Sequence, residues 1–266
     1  MPELPEVETI KKYLERKIVK QKIQDIKIFD RKGFKGEKNK VIGTKILKIK
    51  RKGKFLIFIL NNSYNLLFHL KMTGQILFFN FLRNSEINKA TKVIFVLNNG
   101  YLIFNDVRRF GWVKVVAEKN LKEEIKNLGI DALNLTFDDL KEILSKTKRP
   151  IKLVLMDQRR IAGIGNIYAN EALFLAKINP LKPANSLKNE EIKELLEAIK
   201  IVLKKAINYG GSSISSYVKP DKRKGKYQEK FLVYRREGEK CKNCKTVIEK
   251  IKLGGRSTFY CKNCQK

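Results

Sequence analysis

The spacing of apolar positions changes along the chain and predicts different kinds of segment. Over residues 3–18, Val7, Ile10 and Ile18 recur at helical spacing, which predicts a helix. Short runs rich in Ile, Val, Phe and Leu follow and predict strands at 23–29, 41–51, 55–60, 65–70, 76–79, 91–97, 101–105 and 112–116. Asn-rich turns between such runs, at 61–62 and 98–100, are typical of hairpins. Together they predict an antiparallel β-sandwich or barrel.

The pattern becomes helical after residue 118. Apolar residues at helical spacing predict helices at 136–146, 151–156, 165–176 and 189–209. The last of these ends at Gly210-Gly211, a common stop signal. Polar and basic residues 212–230 predict a mobile loop. We therefore predict a multidomain α and β protein, with an N-terminal β-sandwich domain at 2–117, a helical domain at 118–230 and a small cysteine-bearing module at 231–266.

The charge balance points to a polyanionic partner. Lys and Arg total 58 against 27 Asp and Glu, so the formal net charge is +31. Such a field favours nucleic acid first and an anionic membrane second. AT-rich coding could also produce a lysine-rich chain without any function, so charge alone leaves both explanations open. The 43% of hydrophobic residues suffices for ordinary cores and argues against global disorder.

Neither a leader nor a membrane span is expected. Residues 1–20 mix acidic, basic and apolar types without an apolar run, and no stretch approaches the ~18 apolar residues of a spanning helix. We therefore expect a cytoplasmic, reducing location. In such a compartment, paired cysteines indicate a metal site rather than disulfides.

Four cysteines form two C-x2-C pairs separated by sixteen residues: Cys241, Cys244, Cys261 and Cys264. Each pair can present two thiolates to one tetrahedral zinc ion. The segments 247–252 and 257–260 suit the two strands of a zinc ribbon. Because four sulfur ligands leave no open position, we predict one structural zinc ion.

The tip of this predicted hairpin contains Arg256 between glycine and serine. Glycine lets a backbone approach closely, and guanidinium matches phosphate geometry. An ordinary solvated turn arginine is the alternative.

The N-terminus carries candidate nucleophilic chemistry. Small residues after Met1 normally allow its removal, which would leave Pro2 with a free secondary amine. An α-amino group has a pKa of about 8, well below the ~10.4 of a lysine, so more of it is neutral and nucleophilic at pH 7. Glu3 beside it can donate and accept a proton. Alternatively, Pro2 and Pro5 shape a helix start, with Glu3 and Glu6 favoured by the helix dipole.

Six motifs, in order along nearly the whole chain, resemble the bacterial formamidopyrimidine-DNA glycosylase family (8-oxoguanine glycosylase and AP lyase). They are Pro2-Glu3-Leu4-Pro5-Glu6-Val7-Glu8, Arg51-Lys52-Gly53-Lys54, His69-Leu70-Lys71-Met72-Thr73-Gly74, Asp106-Val107-Arg108-Arg109-Phe110-Gly111, Gly163-Ile164-Gly165-Asn166-Ile167-Tyr168-Ala169-Asn170-Glu171 and Gly255-Arg256-Ser257-Thr258-Phe259-Tyr260-Cys261. Their combination is far more specific than any one of them.

The resemblance implies a bifunctional enzyme of base-excision repair. It implies that Pro2 attacks the sugar carbon of an oxidised purine, forms a Schiff base and cuts the strand by successive eliminations. Glu3 would be the principal acid and base, with Glu6 in support. Lys54 would contact phosphate and assist elimination, although an ordinary strand-end cation is the alternative. By the same resemblance, Arg256 is expected to be one of the catalytic residues.

The resemblance also implies residues that act on the opened duplex. Met72, Arg108 and Phe110 would fill the void that an extruded base leaves. The alternative places Met72 and Phe110 in the core. Arg109 would contact phosphate. The family usually has proline where this chain has Val107, which changes the stiffness of the turn.

Further DNA contacts are implied in both domains. His69, the only histidine, would make a phosphate or structural contact rather than act as catalytic base. Lys148 and Asn166 would contact DNA at a helix–two-turns–helix element around 163–171, whose helix N-terminus favours anions. The segment 212–226 corresponds to the loop that closes over the flipped base, with a disordered linker as the alternative.

Two rival functions remain open. Within the class, the related endonuclease VIII group prefers oxidised pyrimidines, although the first and fourth motifs look more like the purine-specific branch. From a different class, a zinc-ribbon DNA-binding protein would lack catalysis. We expect damaged double-stranded DNA as partner, a monomer, no membrane association, and a bacterial cytoplasm with nucleoid association through DNA.

Overall fold

The computed structural model describes residues 1–266, which cluster into two compact units. The first unit comprises Met1–Lys126 and Tyr209–Gln228, and the second comprises Asn127–Asn208 and Glu229–Lys266. The loop 212–226 therefore groups with the N-terminal unit, although it was expected within the helical domain. The reason is local packing: Tyr217 is buried in the first unit's core, and the Phe78 N–H donates to the Pro220 carbonyl at 2.9 Å. The domain boundaries themselves remain predictions.

Helix α1 (Leu4–Ile18) opens the first unit. Its apolar face, including Ile10 and Leu14, is completely buried. Proline fits its first turn because the N–H that proline lacks has no helical partner there. Arg16 and Lys17 lie in the last turn, where cations complement the helix dipole. The predicted helix at 3–18 is confirmed to within one residue.

Two sheets form the β-sandwich of the first unit. Its strands are β1 (Ile23–Ile28), β2 (Phe34–Lys35), β3 (Ile46–Lys52), β4 (Phe55–Leu60), β5 (Tyr64–His69), β6 (Gly74–Phe79), β7 (Thr91–Leu97), β8 (Gly100–Asp106) and β9 (Trp112–Ala117). One sheet has the order β1-β7-β8-β6, and the other has the order β2-β9-β5-β4-β3. All pairs are antiparallel except β2 with β9. Phe58, Phe68, Phe95 and Phe104 fill the core.

Local chemistry explains where the strand predictions differ from the fold. The strand expected at 41–51 begins only at Ile46, because Gly43 adopts a φ of 84° within a turn. The two-residue β2 was not predicted. Neither was helix α2 (Glu118–Ile125), a short helix with only two apolar residues, Leu121 and Ile125, which pack partly buried against the sheet.

The second unit contains helices with two small sheets. Its elements are β10 (Ile130–Asp131), α3 (Phe137–Ser145), α4 (Ile151–Met156), β11 (Ile161–Ala162), α5 (Asn166–Leu175), α6 (Asn189–Asn208), β12 (Glu249–Leu253) and β13 (Arg256–Tyr260). Helices α4 and α5, with the turns between them, form the helix–two-turns–helix element. Strands β12 and β13 form the antiparallel ribbon that carries the cysteines at its ends. None of the helices combines the length and apolarity that a membrane span requires.

Candidate active site and DNA-binding residues

The first candidate site lies at the start of α1, where Pro2, Glu3 and Glu6 are all buried. The Glu6 carboxylate accepts the Glu3 N–H at 2.7 Å through Oε2. Its other oxygen, Oε1, accepts the Ser212 N–H at 2.8 Å. One carboxylate therefore holds both the N-terminal segment and the beginning of the loop 212–226.

Glycine is required beside this carboxylate. Gly211 has a φ of 78°, and a Cβ added there would lie 2.9 Å from Glu6 Oε1. Burial raises the pKa of Tyr217 well above its usual value, with the Glu6 carboxylate as the next cause. The Tyr217 hydroxyl therefore stays protonated and donates to the Gly210 carbonyl at 3.2 Å. These contacts fix the base of the loop against the helix start.

The rest of the loop is attached to strand β6 and its surroundings. The Gln75 amide donates to the Ser216 carbonyl, and Lys222 forms an ion pair with Glu86. The Lys222 ammonium also lies 4.9 Å from the centre of the Phe79 ring. The loop has no helix or strand, and a 3-10 turn at Tyr227–Lys230 follows it. Its predicted mobility remains a prediction.

The turn between β3 and β4 places Lys54 in the same unit. Gly53 has a φ of 55°, and the Arg51 Nη1 donates to its carbonyl at 3.1 Å. Arg51 also pairs with Glu8 of α1, with 2.7 Å between Nε and Oε2. This nearly buried ion pair ties the turn to α1. Lys54 itself is only 7% exposed.

His69, at the end of β5, is neutral under ordinary conditions. Desolvation, followed by the charges of Lys71 and Lys54, lowers the pKa of His69 to about 3. Its Nδ1 accepts the Lys71 N–H at 3.0 Å, so the proton of the neutral ring lies on Nε2. The ring contacts Phe55, with 4.5 Å between centroids. His69 can thus donate one neutral hydrogen bond, which fits a phosphate contact and argues against a cationic role.

Two turns that contain the predicted void-filling residues are joined by Asp106, which is fully buried. Its Oδ1 accepts the Thr73 hydroxyl and the Arg108 N–H, and its Oδ2 accepts the Gly111 N–H at 2.6 Å. Met72 precedes Thr73 in the first turn and is half-buried. The second turn contains Arg108 and Phe110.

Arg108 and Phe110 project from the core. The Arg108 guanidinium carbon lies 4.9 Å from the centre of the Phe110 ring. Phe110 is 53% exposed and Val107 is 72% exposed. The alternative that Phe110 is a core residue is therefore wrong. A stacked cation and ring on the surface suit insertion beside unstacked bases.

Arg109 has a fixed counter-ion. Its Nε lies 2.8 Å from Asp30 Oδ2, and Lys92 Nζ lies 3.3 Å from the same oxygen. Asp30 and Lys92 are buried, whereas 58% of the Arg109 side chain is exposed. The Arg109 hydrogen bond is the main cause that lowers the pKa of Asp30. The ion pair with Asp30 therefore holds the Arg109 guanidinium in place at the surface.

The four cysteines meet at one point in the second unit. Their Sγ atoms all lie within 4.8 Å of one another, with 3.4 Å between Cys244 and Cys261 and 3.9 Å between Cys241 and Cys264. A tetrahedral zinc ion with bonds of about 2.3 Å requires sulfur separations of about 3.8 Å. The cluster thus fits one structural zinc ion with four thiolate ligands.

Arg256 begins strand β13 of the same ribbon and is exposed. Two neighbours hold the strand: Lys152 donates to the Ser257 carbonyl at 2.9 Å and to the Thr258 hydroxyl at 2.7 Å. Asn166, at the start of α5, donates to the Ser257 carbonyl at 3.1 Å. Asn166 and Arg256 line one open cavity of about 770 Å³. Lys148 is exposed in the segment before α4.

Sequence reasoning assigned no role to several residues that fix this geometry. Asp106 and Glu171 lie inside the quoted motifs, but their buried hydrogen bonds depend on chain segments far away in sequence. Lys152 gave one available signal, a single lysine within an otherwise apolar helix. No pattern indicated that Asp30 would meet Arg109.

Comparisons with known proteins cover the chain in three parts. Residues 1–113 match the formamidopyrimidine-DNA glycosylase N-terminal domain, residues 128–218 match the H2TH domain of the same glycosylase, and residues 238–266 match a zinc finger found in FPG and IleRS. A formamidopyrimidine-DNA glycosylase of Rickettsia africae is 43% identical over 273 residues, covering 100% of this chain and 99% of the relative. One from Rickettsia bellii strain OSU 85-389 is 42% identical over 275 residues, covering 100% of both.

Solved structures show the same similarity. A mutant of the Lactococcus lactis FPG in complex with DNA containing Fapy-dG has a TM-score of 0.93 at 36% identity, with 100% of both chains covered. MutM (FPG) of Thermus thermophilus has a TM-score of 0.89 at 37% identity, covering 99% of this chain and 98% of the other.

Proposed function

Because this chain belongs to the formamidopyrimidine-DNA glycosylase family, a family of base-excision repair enzymes, we propose that it excises oxidised purines through a Schiff base at Pro2 and then cleaves the strand. The Lactococcus relative is bound to DNA that contains Fapy-dG, an oxidised purine. That supports formamidopyrimidines as substrates, and the resemblance of the motifs adds 8-oxoguanine to the proposal.

The proposed reaction begins with the amine of Pro2 after Met1 is removed. The nitrogen forms a bond to C1′ of the damaged nucleotide and gives up its proton, and the bond from C1′ to the base breaks, with its electron pair leaving on the base. The base takes a proton. Protonation of the ring oxygen opens the sugar and leaves an iminium ion between C1′ and Pro2. Glu3 is the proposed donor and acceptor of these protons.

Strand cleavage follows from the iminium, which withdraws electrons from the sugar. Loss of a proton from C2′ expels the 3′ phosphate, and a second elimination expels the 5′ phosphate. Water then hydrolyses the iminium and frees Pro2. Lys54 is proposed to neutralise phosphate charge during these steps. Arg256, a residue of the second unit, is proposed to bind a DNA phosphate.

One observation carries this proposal: the Glu6 carboxylate holds the Glu3 N–H at 2.7 Å and the Ser212 N–H at 2.8 Å. A nucleophile must be presented in a fixed orientation, and an anchored helix start provides it. A frayed N-terminus would not. Pro2 is buried while Met1 is 38% exposed, so removal of Met1 would uncover the nitrogen in place.

The remaining residues are proposed to bind and open the duplex. The surface pair Arg108 and Phe110, with Met72, would fill the space left by the extruded base. Arg109, His69, Lys148 and Asn166 would contact the backbone. The net charge of +31 predicts an affinity that falls steeply with salt. We further propose that the protein acts as a monomer on nucleoid DNA.

Excision assays test the proposal. Duplexes with 8-oxoguanine and with thymine glycol are incubated separately with the purified protein, and released bases and strand ends are measured. We expect 8-oxoguanine to be released faster and both phosphates to be expelled. Glu3→Gln should abolish release, whereas Glu15→Gln, a change near the other end of the same helix, should leave it unchanged. Preference for thymine glycol would favour the endonuclease VIII activity, and no release of either base would refute catalysis.

A further inference from the structure

Arg235 occupies an unusual turn in the second unit. The Arg236 N–H donates to the Val233 carbonyl at 3.1 Å, which closes a turn with Arg235 at its third position. Arg235 has a φ of 58° there. Glycine or asparagine is favoured at such a position because a side chain with positive φ is strained. The structure maintains an arginine in this conformation.

One buried carboxylate, that of Glu171, holds the chain segment that leads into the turn. Glu171 is fully buried and accepts three successive N–H groups, those of Leu232, Val233 and Tyr234, at 2.8, 3.0 and 2.9 Å. The residue after this run is Arg235. Arg236 braces the other side, because its Nη1 donates to the Leu232 carbonyl at 2.6 Å. The backbone direction at Arg235 is thus fixed by buried contacts.

Arg235 lines the same open cavity of about 770 Å³ as Arg256, Asn166 and Lys250. Glu237, the one acidic residue in this lining, is already paired with Lys250 at 2.9 Å. Arg235 is exposed. The lining therefore retains uncompensated positive charge from two guanidinium groups, and guanidinium binds phosphate with two parallel hydrogen bonds.

We propose that Arg235 is a further phosphate-binding residue, which holds a backbone phosphate of the DNA in the cavity that it shares with Arg256. The inference rests on the proposed function, because the ligand is duplex DNA. It adds a contact to those implied by the six motifs, none of which includes residue 235. Glu171 acts as its positioning residue by fixing the turn.

The test replaces Arg235 with glycine, which removes the side chain and also suits the positive φ. Its matched control is Lys177→Gly: Lys177 has a φ of 57°, is exposed and lies in the same unit, but borders a different cavity with Glu194 and Glu197. Both variants lose one positive charge from a left-handed position. Both should melt within about 3 °C of the wild type. Arg235→Lys retains a charge for comparison.

Binding is measured by fluorescence anisotropy over a series of NaCl concentrations. The probes are a duplex with a tetrahydrofuran abasic analogue and the same duplex undamaged. One lost phosphate contact should lower the magnitude of the salt slope by about 0.9 and weaken binding about 3- to 10-fold on both duplexes. Lys177→Gly should retain the wild-type slope, and Arg235→Lys should retain most of it.

Each outcome decides the matter. If Arg235→Gly binds both duplexes like the wild type, the phosphate contact does not exist, while the proposed function stands. Equal losses in Arg235→Gly and Lys177→Gly would show only a general charge effect and also overturn it. If the wild type binds neither duplex, the proposed function fails as well.

Discussion

Replacing Gly211 with alanine probes the contact between the loop and the helix start. Gly211 has a φ of 78°, and the added Cβ would lie 2.9 Å from Glu6 Oε1 and 3.1 Å from Tyr217 Cε1. Neither neighbour can move freely, since Glu6 binds two N–H groups and Tyr217 is buried. The substitution should therefore displace the Glu6 carboxylate.

The expected cost has two parts. A left-handed backbone costs an alanine roughly 1 kcal/mol relative to glycine, and overpacking adds about 1–3 kcal/mol. We expect Gly211→Ala to destabilise the first unit by about 2–4 kcal/mol. Gly43→Ala is the control: Gly43 has a φ of 84° in the same unit, and its added Cβ meets only the Lys22 Cε at 4.0 Å. Gly43→Ala should therefore cost only the backbone strain of roughly 1 kcal/mol, without overpacking.

Urea unfolding followed by tryptophan fluorescence measures the stability of the first unit, which contains both substitutions, because the only tryptophan, Trp112, lies in β9. Excision of 8-oxoguanine by folded protein should fall by about 100-fold in Gly211→Ala, since small displacements of catalytic groups are costly. In Gly43→Ala it should be unchanged. Equal stability losses in the two variants, with wild-type excision in both, would refute the reasoning.

Three further outcomes are expected. Asp106→Asn should destabilise the protein by about 1–3 kcal/mol in urea unfolding, because a buried N–H loses its acceptor. It should also slow base excision more than cleavage at a preformed abasic site. The control Asp25→Asn, at an exposed side chain, should change stability by under about 0.5 kcal/mol. The pKa of His69 is lowered to about 3, below an unfolded value near ~6.5, so its stabilisation is complete above pH ~6.5 and is lost towards pH 3; His69→Gln should remove that part of the pH dependence of the unfolding free energy. Chelation of one zinc ion per chain, counted by mass spectrometry, should unfold residues 231–266 and abolish DNA binding, and retained binding without zinc would contradict its structural role.

The sequence predicted the elements that have a strong period and clear ends. Helix α4 was predicted at its observed bounds, and α6 ended one residue before the predicted boundary, because Gly210-Gly211 is an unambiguous stop. The spacing of the cysteines predicted a metal cluster, and the positions of the sulfur atoms fit it. In each case the determining information lies within a few neighbouring residues.

The contacts that position the candidate site could not be predicted in this way. The Glu6 carboxylate meets Ser212, which is 206 residues away in the sequence. Asp106 joins two turns whose residues are more than thirty positions apart. Such pairs arise only when the sheets and the loop have packed. The left-handed conformation of Arg235 also depends on a distant carboxylate, that of Glu171.

The identity of the atom that attacks the sugar is tested most directly by borohydride reduction during the reaction with 8-oxoguanine duplex. The trapped protein–DNA adduct is digested, and its peptides are sequenced by mass spectrometry. The adduct should lie on the nitrogen of Pro2 in a peptide that lacks Met1, and protein that retains Met1 should give none. An adduct on a lysine, or full trapping with Met1 in place, would contradict the account.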